Sequence, residues 1–130
     1  EAAHAQNSPD ELLLSLRLGV GLSCILDDTV LGYPYLQEGL ELLSKIESQS
    51  CIADFLVTLV DWLVADGQAD QAAWLAGFLL TYEGTAPIEK QSLREQRSQI
   101  EAQLDPLHQG LWEQGADLDF AQVLEYLRQL

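Results

Sequence analysis

The stretch Ile52–Tyr82, IADFLVTLVDWLVADGQADQAAWLAGFLLTY, constrains this chain more than any other. In its first half Ile52, Phe55, Leu56, Leu59, Val60 and Leu63 recur at helical spacing, with Asp54, Thr58, Asp61 and Ala65 on the opposite stripe. Gly67 supplies the left-handed residue that ends such a helix. From Ala72 to Tyr82 there is no charge at all. A helix apolar all round is enclosed by neighbours, and eleven residues fall short of the about 20 that cross a bilayer. The pattern predicts an amphipathic helix turning back onto a helix that other elements must cover.

The flanks extend a helical reading to the whole chain. Residues 1–7 read as a frayed leader. Ser8-Pro9-Asp10-Glu11 is a helix start, with Ser as N-cap, Pro at the first position and Glu three after the cap. The helix it opens is predicted to run to about Leu26. Leu14, Leu18, Leu22 and Ile25 are among its apolar residues, and Arg17 is its only charge past that start. Gly19 and Gly21 inside it predict close approach of another backbone, since each costs roughly 1 kcal/mol relative to Ala. Residues 27–35 read as a connection broken by Gly32 and Pro34, followed by a second helix from about Leu36 to Glu47. After Gly84, Thr85 is the expected cap of a charged fifth helix with Pro87 in its first turn. Its apolar stripe is thin, and Arg97 and Glu101 pair one turn apart. Asp105-Pro106 opens a short sixth helix that Gly115 closes. Asp117 is the expected cap of a seventh, with Phe120, Val123, Leu124 and Leu127 inward. No sustained alternation marks a strand.

The order of motifs carries a resemblance. The hairpin around Gly67, with Leu56, Leu59 and Leu63 before the turn and Ala72 after it, resembles a tetratricopeptide (TPR) unit. Ala72-Ala73-Trp74-Leu75-Ala76-Gly77, then Gly84 and Pro87, the charged run Glu89–Glu101, Trp112-Glu113-Gln114-Gly115 and a short amphipathic end resemble the last hairpin and closing helices of LuxR-type and related STAND signalling ATPases. Upstream, Leu36-Gln37-Glu38-Gly39 is similar to a hairpin turn of that family, with Pro34-Tyr35 inserted after Gly32-Tyr33. The resemblance implies an all-α fold of antiparallel hairpins, a TPR-like right-handed solenoid fragment with a C-terminal helical cap. Residues 8–130 would form one domain: 8–48 the first hairpin, 51–83 the central one and 85–130 the cap helices. It also implies a protein-protein interaction and regulatory module within a larger STAND-type ATPase or transcriptional regulator. The alternative is a small-molecule inducer-sensing domain, which an open pocket holding Trp62, Trp74 or Trp112 would favour. The family's groove positions fall on Asp54, Val57, Asp61, Val64 and Ala65. They suit a basic, amphipathic protein or peptide segment, or other domains of the parent chain.

Charge and chemistry narrow the classes. The net charge is −15, from 21 acids and 6 bases. A surface so acidic repels phosphate backbones, so no direct nucleic-acid binding is expected. No membrane span and no signal peptide is visible, and a cytoplasmic location is expected. Cys24 and Cys51 read as packed thiols. Two Cys and two His lie too far apart for a zinc pattern. Gly19-Val20-Gly21 lacks the Lys-Ser/Thr of a phosphate loop, and Asp117-Leu118-Asp119 lacks the Gly and Glu of a calcium loop. His108 stands one turn before Trp112 without a partner motif. The expectation is no enzyme, no cofactor and no metal.

Overall fold

The computed structural model describes residues 8–104 and 110–129. Seven helices follow in order: α1 (Pro9–Ile25), α2 (Thr29–Leu42), α3 (Gln49–Ala65), α4 (Ala69–Thr81), α5 (Pro87–Ala102), α6 (Leu111–Ala116) and α7 (Phe120–Leu127). A 3-10 turn, Leu43–Lys45, follows α2. No strand occurs among the described residues, and none of the helices is long and apolar enough to cross a membrane. His4, Pro106, Leu107 and His108 lie outside the described residues.

The core forms where the uncharged stretch predicts it. Phe55, Leu56, Leu59 and Leu63 of α3 meet Leu75 and Leu79 of α4, all fully buried. Each such side chain contributes about 1.5–3 kcal/mol by leaving water. The turn between the two helices rests on Gly67, at φ +79°. That conformation lets the Gln68 amide donate back to the Leu63 carbonyl at 2.8 Å. Residues 72 to 79 of α4 are buried without exception, because α3, α5 and α6 all pack on it. α1 packs on both α2 and α3.

Ser8 opens α1 as expected. Its hydroxyl accepts from the Glu11 amide at 3.2 Å, and the Glu11 carboxylate accepts from the Ser8 amide at 3.3 Å. Several other expectations need correction. α2 begins at Thr29, not Leu36, and carries Pro34 inside it. Pro34 removes one helical hydrogen bond and strains the preceding turn. The helix survives because its packing outweighs that loss: Leu36 and Leu43 are fully buried, and the Trp62 indole donates to the Thr29 carbonyl at 3.0 Å. In α1 it is Leu13, Leu16, Val20 and Ser23 that are buried, while Leu14, Leu18, Leu22 and Ile25 face outward. Gly19 and Gly21 are approached by side chains, the Tyr35 ring and the Thr58 methyl, rather than by a backbone.

At the other end, Ala86 and not Thr85 is the N-cap of α5, with the Glu89 carboxylate accepting from the Ala86 amide at 3.0 Å. Thr85 is buried instead, its hydroxyl without a partner. Gly115 lies within α6 and does not close it. Asp119, not Asp117, caps α7, its carboxylate accepting from the Gln122 amide at 2.8 Å. Val123 and Leu127 make α7's buried face, while Phe120 and Leu124 are half-buried. α7 leans on α4 through aromatic contacts: Tyr126 meets Trp74 edge-on at 4.9 Å, and Phe120 stacks on Tyr82 at 6.0 Å. Its last turn shares a depression with Tyr33, Leu36 and Leu40 of α2.

Candidate groove on helices α1, α3 and α5

Of the five groove candidates, Asp54, Asp61 and Ala65 fall on the stripe of α3 that faces away from the core. Asp61 and Ala65 are exposed and Asp54 is half-buried. Val57 and Val64 sit at the edge of that stripe and pack partly against the core. The open part of the surface is therefore more acidic and less apolar than the sequence implied.

Flanking helices complete it. On the α5 side, the Gln96 amide donates to Asp61 at 3.1 Å, and Glu89 hydrogen-bonds Asp54. On the α1 side stand Arg17, whose charge acts on Glu89, and Cys24, which feels the charge of Asp61. Gly21 lies between them, facing the Thr58 methyl of α3. Each helix thus contributes a polar pair two turns apart: Arg17 and Cys24, Asp54 and Asp61, Glu89 and Gln96. Seven residues bring a side chain back to nearly the same face of a helix. That repeated spacing is the signal in the sequence for Arg17, Cys24, Glu89 and Gln96, which the α3 pattern alone does not reveal.

The electrostatics follow from crowding. Burial raises the Glu89 carboxyl to about 7, reinforced by its hydrogen bond with Asp54 and that residue's negative charge. The Ala86 amide and the Arg17 guanidinium oppose the rise. Although Asp61 as a residue reaches solvent, desolvation by the helices around its carboxyl also raises it, partly offset by the Gln96 bond. The Cys24 thiol is raised by burial and by Asp61, so it is held as the unreactive thiol. The Arg17 Nε–H is buried and donates to no oxygen among the described residues. The arrangement crowds the carboxyls of Asp54, Asp61 and Glu89 on one side of the molecule.

The tryptophans lie elsewhere. Trp112 is 3% exposed, with the Arg97 guanidinium 4.9 Å over its ring, and Trp62 and Trp74 are also buried. The expected Arg97–Glu101 pair is present at 3.4 Å, and Arg97 also reaches Glu113 at 3.3 Å. Both cysteines are half-buried and free. Among the described residues no three His, Cys, Asp or Glu side chains gather as a metal site. The chain matches no protein-family model, no curated protein and no solved structure.

Proposed function

We propose that this chain is a protein-interaction and regulatory module, a TPR-like right-handed stack of helices whose α1–α3–α5 face receives a basic, amphipathic segment. The observation that carries the reading is the convergence of Asp54, Asp61 and Glu89 from two helices onto one face, with Arg17 acting on Glu89 there. Lysine or arginine side chains of a partner would relieve that crowding, while the rim residues Val57 and Val64 accept apolar groups. The module acts without catalysis, cofactor or metal of its own. The motif order supports a place at the C-terminal end of a larger cytoplasmic STAND-type ATPase or transcriptional regulator, whose nucleotide and DNA chemistry belongs to other segments. Binding of Lys-rich and Glu-rich amphipathic peptides, compared for the native chain and Asp61→Asn, tests the reading. Preference for the Lys-rich peptide should fall about tenfold in the variant, in line with the loss of one close charge pair. Equal binding of both peptides overturns it.

A second reading, the inducer-sensing domain, has two observations in its favour, the first a depression of about 450 Å³ beside Trp62, lined also by Thr29, Val30, Tyr33 and Pro34. The second, an open depression of about 400 Å³, lies between Trp74 and Tyr126, fringed by Gln71, Gln114 and Gln129. The burial of all three tryptophans weighs against it, because a stacking ligand needs an open ring face.

A further inference from the structure

We infer that the outer face of α1, continued at the start of α2, docks an amphipathic helix whose apolar stripe is flanked by lysine or arginine. Leu14, Leu18, Leu22 and Ile25 stand on successive turns of α1 and are 50–80% exposed. Val30 and Leu31 extend the patch into α2, also at least half exposed. The remaining faces of α1 are taken, since Leu13, Leu16 and Val20 are buried in the core. The exposed four recur at i, i+4, i+8 and i+11, the stripe one helix offers another. Six branched side chains at this exposure present on the order of 600 Å² of apolar surface, the upper end of what a monomer leaves uncovered. That is most of one side of a standard interface, about 800 Å².

Charge decides the occupant. The described residues framing the patch are acidic: Glu11 beside Leu14, Asp27 and Asp28 at its end, and Glu38 on α2. Arg17 is the one base on these two helices, and it acts on Glu89 in the groove, on another side of α1. A second copy of the chain would set acidic frame against acidic frame, within a pair carrying −15 on each member. A helix with basic flanks meets the apolar stripe and the acidic frame together. This surface is separate from the α1–α3–α5 groove and can be occupied at the same time.

The experiment is a titration of the native chain with a fluorescent synthetic helix of about 18 residues, bearing a leucine stripe and lysine flanks. The same peptide with glutamate flanks is the control. Binding by the lysine-flanked peptide should be about tenfold tighter than by the control and weaken at high salt. Leu18→Ser with Leu22→Ser should lower its affinity at least about tenfold while the chain still melts cooperatively, because both side chains are more than half exposed and lie outside the core. Asp61→Asn should leave in place the part of this binding that Leu18→Ser with Leu22→Ser removes, which separates it from any binding of the same peptide at the groove. Absence of binding, equal binding of the control peptide, or a loss in Asp61→Asn instead of the leucine variant overturns the inference. So does a dimer in sedimentation that the leucine variant converts to monomer, which would make the occupant a second copy.

Discussion

Gly77 and Gly115 are reciprocal: a Cβ on Gly77 would overlap the carbonyl of Trp112, and a Cβ on Gly115 would overlap the carbonyl of Trp74. Each glycine therefore makes room for the backbone just before the other, and α4 and α6 cross at van der Waals distance. A neighbouring backbone cannot rotate aside as a side chain can. Gly77→Ala and Gly115→Ala should each destabilise the fold by roughly 1–3 kcal/mol, and Gly77→Leu at least as much. Because both act on one crossing, the double variant should cost less than the sum of the two. Urea denaturation of the four proteins is the measurement; unchanged midpoints for the single variants contradict the crossing.

Trp112 should behave as an anchor rather than a ligand platform. Its ring is enclosed at 3% exposure under the Arg97 guanidinium. Trp112→Ala should cost roughly 3–5 kcal/mol. Acrylamide quenching of single-tryptophan variants that retain only Trp112 should report a shielded indole in the native state.

The carboxyl pair on the groove gives a pH dependence whose sign is fixed. Glu89 binds its proton up to about 7 in the fold and to 4.5 in the unfolded chain. Between those values the native state holds more protons, so stability falls as pH rises through the window and levels off above it. Asp54 and Arg17 face the same carboxyl, the first raising it and the second lowering it. Glu89→Gln keeps an oxygen for the Ala86 amide while removing the charge. It should flatten the stability profile between pH 4.5 and 7 and raise stability at pH 8 relative to the native chain. Thermal melts across that range, with Glu41→Gln as an exposed control, test it.

Thr85 is a buried hydroxyl without a partner. Thr85→Val keeps the shape and removes the unmet polar group, so it should stabilise by roughly 1 kcal/mol. Had Thr85 been the cap of α5, the same change would destabilise; chemical denaturation distinguishes the two outcomes.

For α7 the choice lies between two aspartates. Asp119→Ala should lose about 0.5–2 kcal/mol and speed amide exchange in Phe120–Leu127. Asp117→Ala, at the C-terminal edge of α6, should leave that helix protected.

The central hairpin was legible because its two halves differ so sharply. Asp54 and Asp61 fix the outer stripe of α3, and the absence of charge from Ala72 to Thr81 leaves burial as the stable state for most of α4. α1 was harder, because leucines occupy both of its sides. Leu13 and Leu16 are buried while Leu14 and Leu18 are exposed, and hydrophobicity alone cannot rank neighbours of the same type. The start of α2 was obscured by Pro34, whose local cost is visible in sequence while the compensating burial of Leu36 and the Trp62 bond is not. In the groove, Asp54 and Asp61 could be placed from one helix. Glu89, Gln96 and Arg17 are set by contacts over more than thirty residues, which no local pattern reports. The shift from Asp117 to Asp119 is a contest between two equivalent caps that downstream packing of Val123 and Leu127 decides.

The enclosure of α4 has a consequence for the chain as it is made. Gly77 leaves the ribosome 38 residues before Gly115, the partner that completes its crossing. At 5–20 residues per second this interval lasts about 2–8 s. During it a helix buried from residue 72 to 79 in the finished fold has α3 and the emerging α5 to lie against, without α6. A nascent chain stalled in that interval is a client for holding chaperones. Translation speed across residues 78–115 therefore bears on yield in a way that the stability of the finished fold does not reveal.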